Sequence, residues 1–212
     1  MPCDVTRDGD VERAVAAARE GFGRLDVAVA NAGFGVVGPV ARLTLDDYRR
    51  QFETNVFGVL RTIYAALPEV RRARGRLVVI GSVSGHIATP GSSPYAMSKF
   101  AVRAPAEALG HELAADGVSV TLVSPGFVES DIRRVDNEGV LRETSPDPAP
   151  SFLRMPAARA ARQIVRAVAR RRREVVITGH GKAFVFLHRH APWLTSFVIR
   201  RVGVRSRSEP GP

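Results

Sequence analysis

The chain has 212 residues, 45% of them hydrophobic and 25% charged, which suits one soluble globular domain with a sizeable core rather than a fibrous or disordered chain. Its single cysteine excludes an internal disulfide and fits a reducing compartment such as the cytoplasm, and its apolar runs fall far short of the ~20 residues of a membrane-spanning helix. The net charge of +10 is uneven: residues 1–153 carry 17 basic and 19 acidic side chains while residues 154–212 carry 14 and 2, so the excess marks the C-terminal quarter and is no whole-chain nucleic-acid signature.

Pro2-Cys3-Asp4-Val5-Thr6 reads as the end of a strand running into a helix. Residues 8–21 carry Val11, Ala14, Val15 and Ala18 at helical spacing and stop at Gly21 and Gly23. Residues 25–30 form a short β-like run closed by Asn31-Ala32-Gly33. A long helix is predicted over 45–66, with Thr44 as its cap and Asp47 three residues on, a capping-box spacing. Asn55 and Gly58 fall inside it, where both are poor helix formers; on propensity alone a solvent-facing Asn55 is as good a reading as a functional one.

Residues 76–81, rich in β-branched side chains, fit a buried parallel strand that ends at Ser82. A Ser-, Gly- and Pro-rich loop over 82–94 follows, then a helix over 95–115 that puts Tyr95 and Lys99 on one face, since i and i+4 are neighbours. Of the 31 basic residues other than histidine only Lys99 and Lys182 are lysines, which hints at a use for a compact ammonium at position 99. Residues 118–123 form another β-branched run ending in Ser124-Pro125-Gly126. Residues 131–155 lack a period and carry Pro146, Pro148 and Pro150; they fit a mobile loop covering a site or an idle surface excursion. Pro156 opens a helix to about residue 172, and 174–178 is a last strand.

Alternating strands and helices predict an α/β fold, a doubly wound parallel sheet whose ligands gather at the carboxyl ends of strands. Asn31, Ser82 and Pro125-Gly126 all lie at such ends. A hydroxyl from Ser82, a phenol from Tyr95 and an ammonium from Lys99 can there converge on one substrate oxygen.

With Asp4-Val5, Asn31-Ala32-Gly33, Asn55 in an N-V-x-G helix, Ser82, Tyr95-x-x-x-Lys99 and Pro125-Gly126 in this order, residues 3–180 resemble the short-chain dehydrogenase/reductase family. The resemblance implies a Rossmann-like fold and an NAD- or NADP-dependent oxidoreductase that interconverts an alcohol and a carbonyl. It makes Tyr95 the general acid or base, with Lys99 supplying the charge that lowers the phenol's pKa and holding the nicotinamide ribose. Ser82 would hydrogen-bond the substrate oxygen, and Asn55 would hold a water that links the lysine to solvent. Asp4 and Val5 would meet the adenine, and Asn31, Ala32 and Gly33 would line the adenosine side. Pro125, Gly126 and Val128 would flank the nicotinamide, with Ser130 where the family often has threonine. A small-molecule alcohol or carbonyl as partner and a homo-oligomer also follow from the resemblance.

One family feature is missing from these residues: the glycine-rich turn T-G-x-x-x-G-x-G that receives the pyrophosphate at a helix N-terminus. The expectation is therefore a chain that begins inside the nucleotide-binding half, roughly three strands and two helices short of the usual fold, with Met1 as an internal start. The strand over 25–30 would then be a bare sheet edge, and the apolar face of residues 11–18 would be exposed. The alternative reading of function is a catalytically inactive fragment without cofactor binding.

This divides the chain into a partial Rossmann-like domain over 1–182, a basic amphipathic extension over 183–204 and a disordered tail over 205–212. The extension mixes apolar clusters with His188, Arg189, His190, Arg200 and Arg201, and Pro192 breaks its helix. It fits foremost a docked helix pair closing a pocket or a dimer contact, and as the lesser alternative an interfacial segment lying on an anionic membrane. No nucleic-acid motif accompanies the charge, and the five histidines have no metal-binding spacing.

Overall fold

Four β-branched runs pair as one parallel sheet in the order β1-β2-β3-β4: β1 (Val27–Ala30), β2 (Arg76–Ile80), β3 (Ser119–Ser124) and β4 (Glu174–Val176). The computed structural model describes residues 1–202; the tail expected over 205–212, and the last residues of the extension, lie outside them. Register sets Val27 against Arg76, Arg76 against Ser119, and Leu122 against Glu174. Side chains alternate across the sheet, so Leu77 and Val79 enter one core while Val78 enters another.

The first core lies between the sheet and the helices α3 (Gly58–Arg72) and α4 (Ser93–Glu112), where Ile63, Ala66, Val70, Val102 and Ala106 meet Leu77, Val120 and Leu122. The second joins Val78, Val123 and Ile177 to Ala160 and Val168 of α5 (Ala157–Ala169). Helices on both faces of a parallel sheet are the doubly wound arrangement that the alternation of elements predicted.

Helix α1 (Asp10–Phe22) corrects one expectation. Its apolar stripe is not bare: Val11 is buried and Val15 packs against the first core, because α1 lies on α3 and Arg19 reaches Glu69. The sheet edge is as expected. Strand β1 pairs only with β2 among the described residues, and Val27 and Val29 are 38% and 49% exposed.

The long central helix is three pieces. Helix α2 (Leu45–Phe52) begins with the expected capping box, Thr44 and Asp47 each accepting the other's backbone N–H. A π-helical turn over Glu53–Phe57 then leads into α3. The 131–155 stretch is folded rather than formless: Asp147 pairs with Arg133 at 2.6 Å, and Asp136 accepts the N–H groups of Glu138 and Val140. Its Asn137 side chain exchanges two hydrogen bonds with the backbone of Val37, each 2.9 Å, so the excursion is tied to the loop that follows β1. Helix α6 (Gly179–His190), capped by Thr178, runs through the 182/183 boundary expected for the extension. It ends two residues before Pro192, which opens α7 (Pro192–Val202).

Candidate active site

Ser82 leaves the carboxyl end of β2, and its Oγ accepts the Ser84 N–H at 3.1 Å. Tyr95 sits in the first turn of α4, one residue after Pro94, whose fixed φ suits a helix start. The Ser82 hydroxyl is near enough to favour the ionised form of the Tyr95 phenol. One turn further on, the buried Lys99 donates its ammonium to the Ile80 carbonyl at 2.9 Å and lies 5.7 Å from the centroid of the Tyr95 ring. The three residues singled out from spacing therefore meet at the end of one strand.

Burial raises the Tyr95 phenol above its ordinary pKa of 10.0, and the Ser82 hydroxyl and the Arg133 guanidinium pull it back. Burial draws Lys99 from 10.5 down to about 8, which leaves it largely protonated at neutral pH. A second cation near the phenol is Arg133, which reaches the site from the 131–155 loop. Arg133 is held by Asp147 and by the Val128 carbonyl, and lies 5.8 Å from the Phe127 ring.

Asn55 is wholly buried and points inward from the π-helical turn, a distortion often found at functional positions. Its Oδ1 accepts the Phe34 N–H at 3.1 Å, and its Nδ2 donates to the Phe34 carbonyl at 3.0 Å and to Ser98 Oγ at 3.1 Å. Both donors are spent on protein, leaving one lone pair of Oδ1. Gln51, one turn earlier, makes the matching clamp, donating to the Phe34 carbonyl and accepting the Val36 N–H. Ser98 in turn donates to the Tyr95 carbonyl at 2.8 Å. The loop after β1 is so bound to the helix that carries Tyr95.

Gly33 shows why that loop needs glycine. A Cβ there would stand 3.0 Å from Asn55 Oδ1 and 3.7 Å from Lys99 Nζ. The Gly33 backbone thus packs close to Asn55, and two of the three Lys99 donor directions beside it have no partner among the described residues. The Pro125-Gly126 turn is half-buried at the end of β3, beside Thr178 and His180, both of which a Cβ on Gly126 would strike. His180 Nε2 accepts the Phe127 N–H at 3.1 Å and its ring stacks on Phe127 at 5.5 Å.

The remaining expected residues are less central. Asn31 and Ala32 are exposed at the end of β1. Asp4 accepts the N–H and hydroxyl of Thr6, and Val5 packs against Gly58 on α3. Val128 bridges to Met155 and packs, partly buried, against the second core. Ser130 accepts the Ile132 N–H and borders a cleft of ≈ 330 Å³ whose lining includes Asp131, Arg134 and Arg154 but none of Ser82, Tyr95 and Lys99.

Sequence reasoning missed Gln51, Ser98, Arg133 and His180. Gln51 and Asn55 did carry a signal, being polar residues one turn apart in a helix that buries its stripe. Arg133 and His180 carried none, for their partners lie far away in sequence.

Comparison with known proteins agrees with this geometry. The family described as short chain dehydrogenase matches residues 1–140. The chain is 37% identical over 152 residues to a 3-ketodihydrosphingosine reductase of Bacteroides thetaiotaomicron, covering 71% of this chain and 56% of that protein. It is 35% identical over 155 residues to Oxidoreductase UcpA of Salmonella typhimurium, covering 72% and 57%. A short chain dehydrogenase/reductase from Burkholderia phymatum in complex with NAD superposes with a TM-score of 0.78 at 26% identity, over 92% of this chain and 75% of that one. A gluconate 5-dehydrogenase from Burkholderia cenocepacia in complex with NADP and tartrate gives 0.58 at 27% identity, over 62% and 52%. The chain spans about half to two thirds of the length of the curated relatives it matches.

Proposed function

We propose, for a chain that belongs to the short-chain dehydrogenase family, the interconversion of an alcohol and a carbonyl with Tyr95 as the proton-transferring group. The observation that carries the reading is the convergence of Ser82, Tyr95 and the buried Lys99 ammonium at the carboxyl end of a parallel sheet. Relatives with NAD or NADP support a nicotinamide cofactor without distinguishing the two. When bound, that cofactor supplies or accepts the hydride.

The side chains would divide the remaining work. Ser82 Oγ, fixed by the Ser84 N–H, would donate to the substrate oxygen as negative charge gathers there. Tyr95 would give its proton to the same oxygen. A phenol whose pKa is raised by burial is neutral at ordinary pH, which suits the acid role and hence the reducing direction. Lys99 would hold the ribose hydroxyls with its free donors. The spare lone pair of Asn55 Oδ1 leaves room for the water expected there, while its other bonds position Phe34 and Ser98. Arg133, closing over the phenol from the loop, would temper the pKa. A lipophilic carbonyl compound is the favoured substrate class, supported by the name of the 3-ketodihydrosphingosine reductase among the relatives. Self-association is part of the proposal, supported by exposed Tyr64, Met97 and Phe100 on α3 and α4.

The test is titration of the purified chain with NADH and NADPH, followed by their oxidation in the presence of long-chain and short-chain ketones. Binding with Tyr95-dependent turnover is the expected result. No binding of either nucleotide overturns the reading for this 212-residue chain and favours the inactive-fragment alternative.

A further inference from the structure

The helices α6 and α7 present their aromatic side chains to the wrong side for a packed core. Along α6 the exposed face runs through Lys182, Phe186, Arg189 and His190, and along α7 through Trp193, Phe197, Arg200 and Arg201. Phe186, Trp193 and Phe197 are 66%, 73% and 52% exposed. An ordinary surface helix turns such residues inward. Here the inward face is already filled, with Val185 and Thr195 buried. Two of the outward aromatics are also set beside a charge or an imidazole: Arg201 lies 5.1 Å over the Phe197 ring, and the Phe186 and His190 rings are 4.4 Å apart.

The charge on this face has one sign. No Asp or Glu occurs between Glu174 and Glu209. A second copy docking here through a two-fold axis would set Lys182, Arg189, Arg200 and Arg201 against the same four cations with no acid to relieve them. An occupant must be anionic and also take up three aromatic side chains. A bilayer of acidic lipid does both: rings settle at the acyl boundary while long basic side chains reach the headgroups. At ~1.5 Å per residue the two helices are about half the ~30 Å hydrocarbon thickness, and no helix among the described residues is long and apolar enough to cross a membrane. The helices would lie on the surface.

We propose that the outer face of α6 and α7 is a docking surface for an anionic lipid bilayer. The surface adjoins the candidate site. The start of α6 packs behind Ser82, with a Cβ on Gly181 falling 2.8 Å from Val83 Cγ2, and His180 holds the turn at Phe127. Docking would therefore bring the wall of the substrate side to the membrane. The proposal stands on the exposed face alone and does not require the oxidoreductase reading.

Trp193 is the only tryptophan in the chain, so its emission reports on this face alone. Full-length protein is mixed with phosphatidylcholine vesicles, with and without phosphatidylglycerol, and sedimented. The expected result is a blue shift of Trp193 emission and co-sedimentation with the anionic vesicles, weakened by salt as charges separate beyond a Debye length of ~8 Å at physiological ionic strength. The double substitution Arg200→Gln with Arg201→Gln should lower partitioning about 30-fold. Phe186→Ser with Phe197→Ser should lose the blue shift while far-ultraviolet circular dichroism stays unchanged, since neither side chain is buried. Unshifted emission and protein left in the supernatant at low salt overturn the proposal. So does a blue shift on concentrating the protein alone, or on adding single-stranded nucleic acid, when vesicles produce none.

Discussion

The Lys99 ammonium stands 5.7 Å from the centroid of the Tyr95 ring and is tied from below to the Ile80 carbonyl at 2.9 Å. Burial holds its pKa at about 8 rather than 10.5. A lysine depressed in the folded state penalises folding fully below about pH 8, and the penalty fades as pH rises towards 10.5. Lys99→Met should therefore abolish turnover yet raise stability at neutral pH by up to about 3 kcal/mol. Chemical denaturation of both proteins across that range checks this, the gap between them narrowing above pH 8.

Tyr95→Phe removes the proposed proton donor while leaving the ring that packs under Gly35. Turnover should fall roughly 10²–10⁴-fold, and Ser82→Ala roughly 10²–10³-fold, with nucleotide titration little changed for either. Steady-state kinetics with a ketone substrate reads both. Wild-type turnover from Tyr95→Phe would assign the proton to another group.

Asn55→Ala strands the Phe34 N–H in the core and takes one bond each from the Phe34 carbonyl, which keeps Gln51, and from the Ser98 hydroxyl, which keeps Tyr95. A loss of about 2 kcal/mol or more in urea unfolding is expected. Gly33→Ala pushes a methyl against Asn55 Oδ1 and should cost about 1–3 kcal/mol by overpacking. It should also weaken nucleotide binding, since the added group lies close to the free side of Lys99.

Arg133 and Asp147 are largely shielded, with side chains 18% and 12% exposed. The guanidinium holds the Asp147 carboxyl well below its ordinary 3.8. A depressed carboxylate contributes stability above its unfolded pKa and loses it as pH falls below about 3.8. Asp147→Asn should destabilise by about 1–3 kcal/mol at neutral pH, with the difference vanishing in acid titrations monitored by circular dichroism. Freed of its partner, Arg133 should also shift the pH profile of turnover.

His180 accepts the Phe127 N–H, and burial lowers its pKa below 6.5. The neutral ring is the one that can accept, so its contribution is full above pH 6.5 and declines as the medium becomes more acid. His180→Ala should raise KM more than it lowers kcat by loosening the Phe127 turn. His180→Gln, which retains an acceptor, should restore KM and flatten its acid-side pH dependence; a variant pair with identical profiles would reduce His180 to packing.

Much of this was legible in the residues themselves. The strands announced themselves through β-branched runs, the Thr44 cap through its partner at Asp47, and Ser82, Tyr95 and Lys99 through their places at a strand end and along one helix turn. These are local properties, governed by backbone preference and helical period. The π-helical turn at Asn55 was hidden because α and π turns share the same residue preferences, and the folded 131–155 excursion because its ties to Val37 and its Arg133–Asp147 pair have no period.

The sequence by itself thus determined the parallel α/β order and the places of the Ser82 and Tyr95 hydroxyls and the Lys99 ammonium. Only the tertiary structure decided how they are charged and held. Arg133 stands near the phenol because a loop brings it there, and burial lowers the Lys99 pKa. Asn55 serves Phe34 and Ser98 because the chain returns to it from 21 residues before and 43 after. Such effects depend on desolvation and on contacts across the fold, neither of which is written in local spacing.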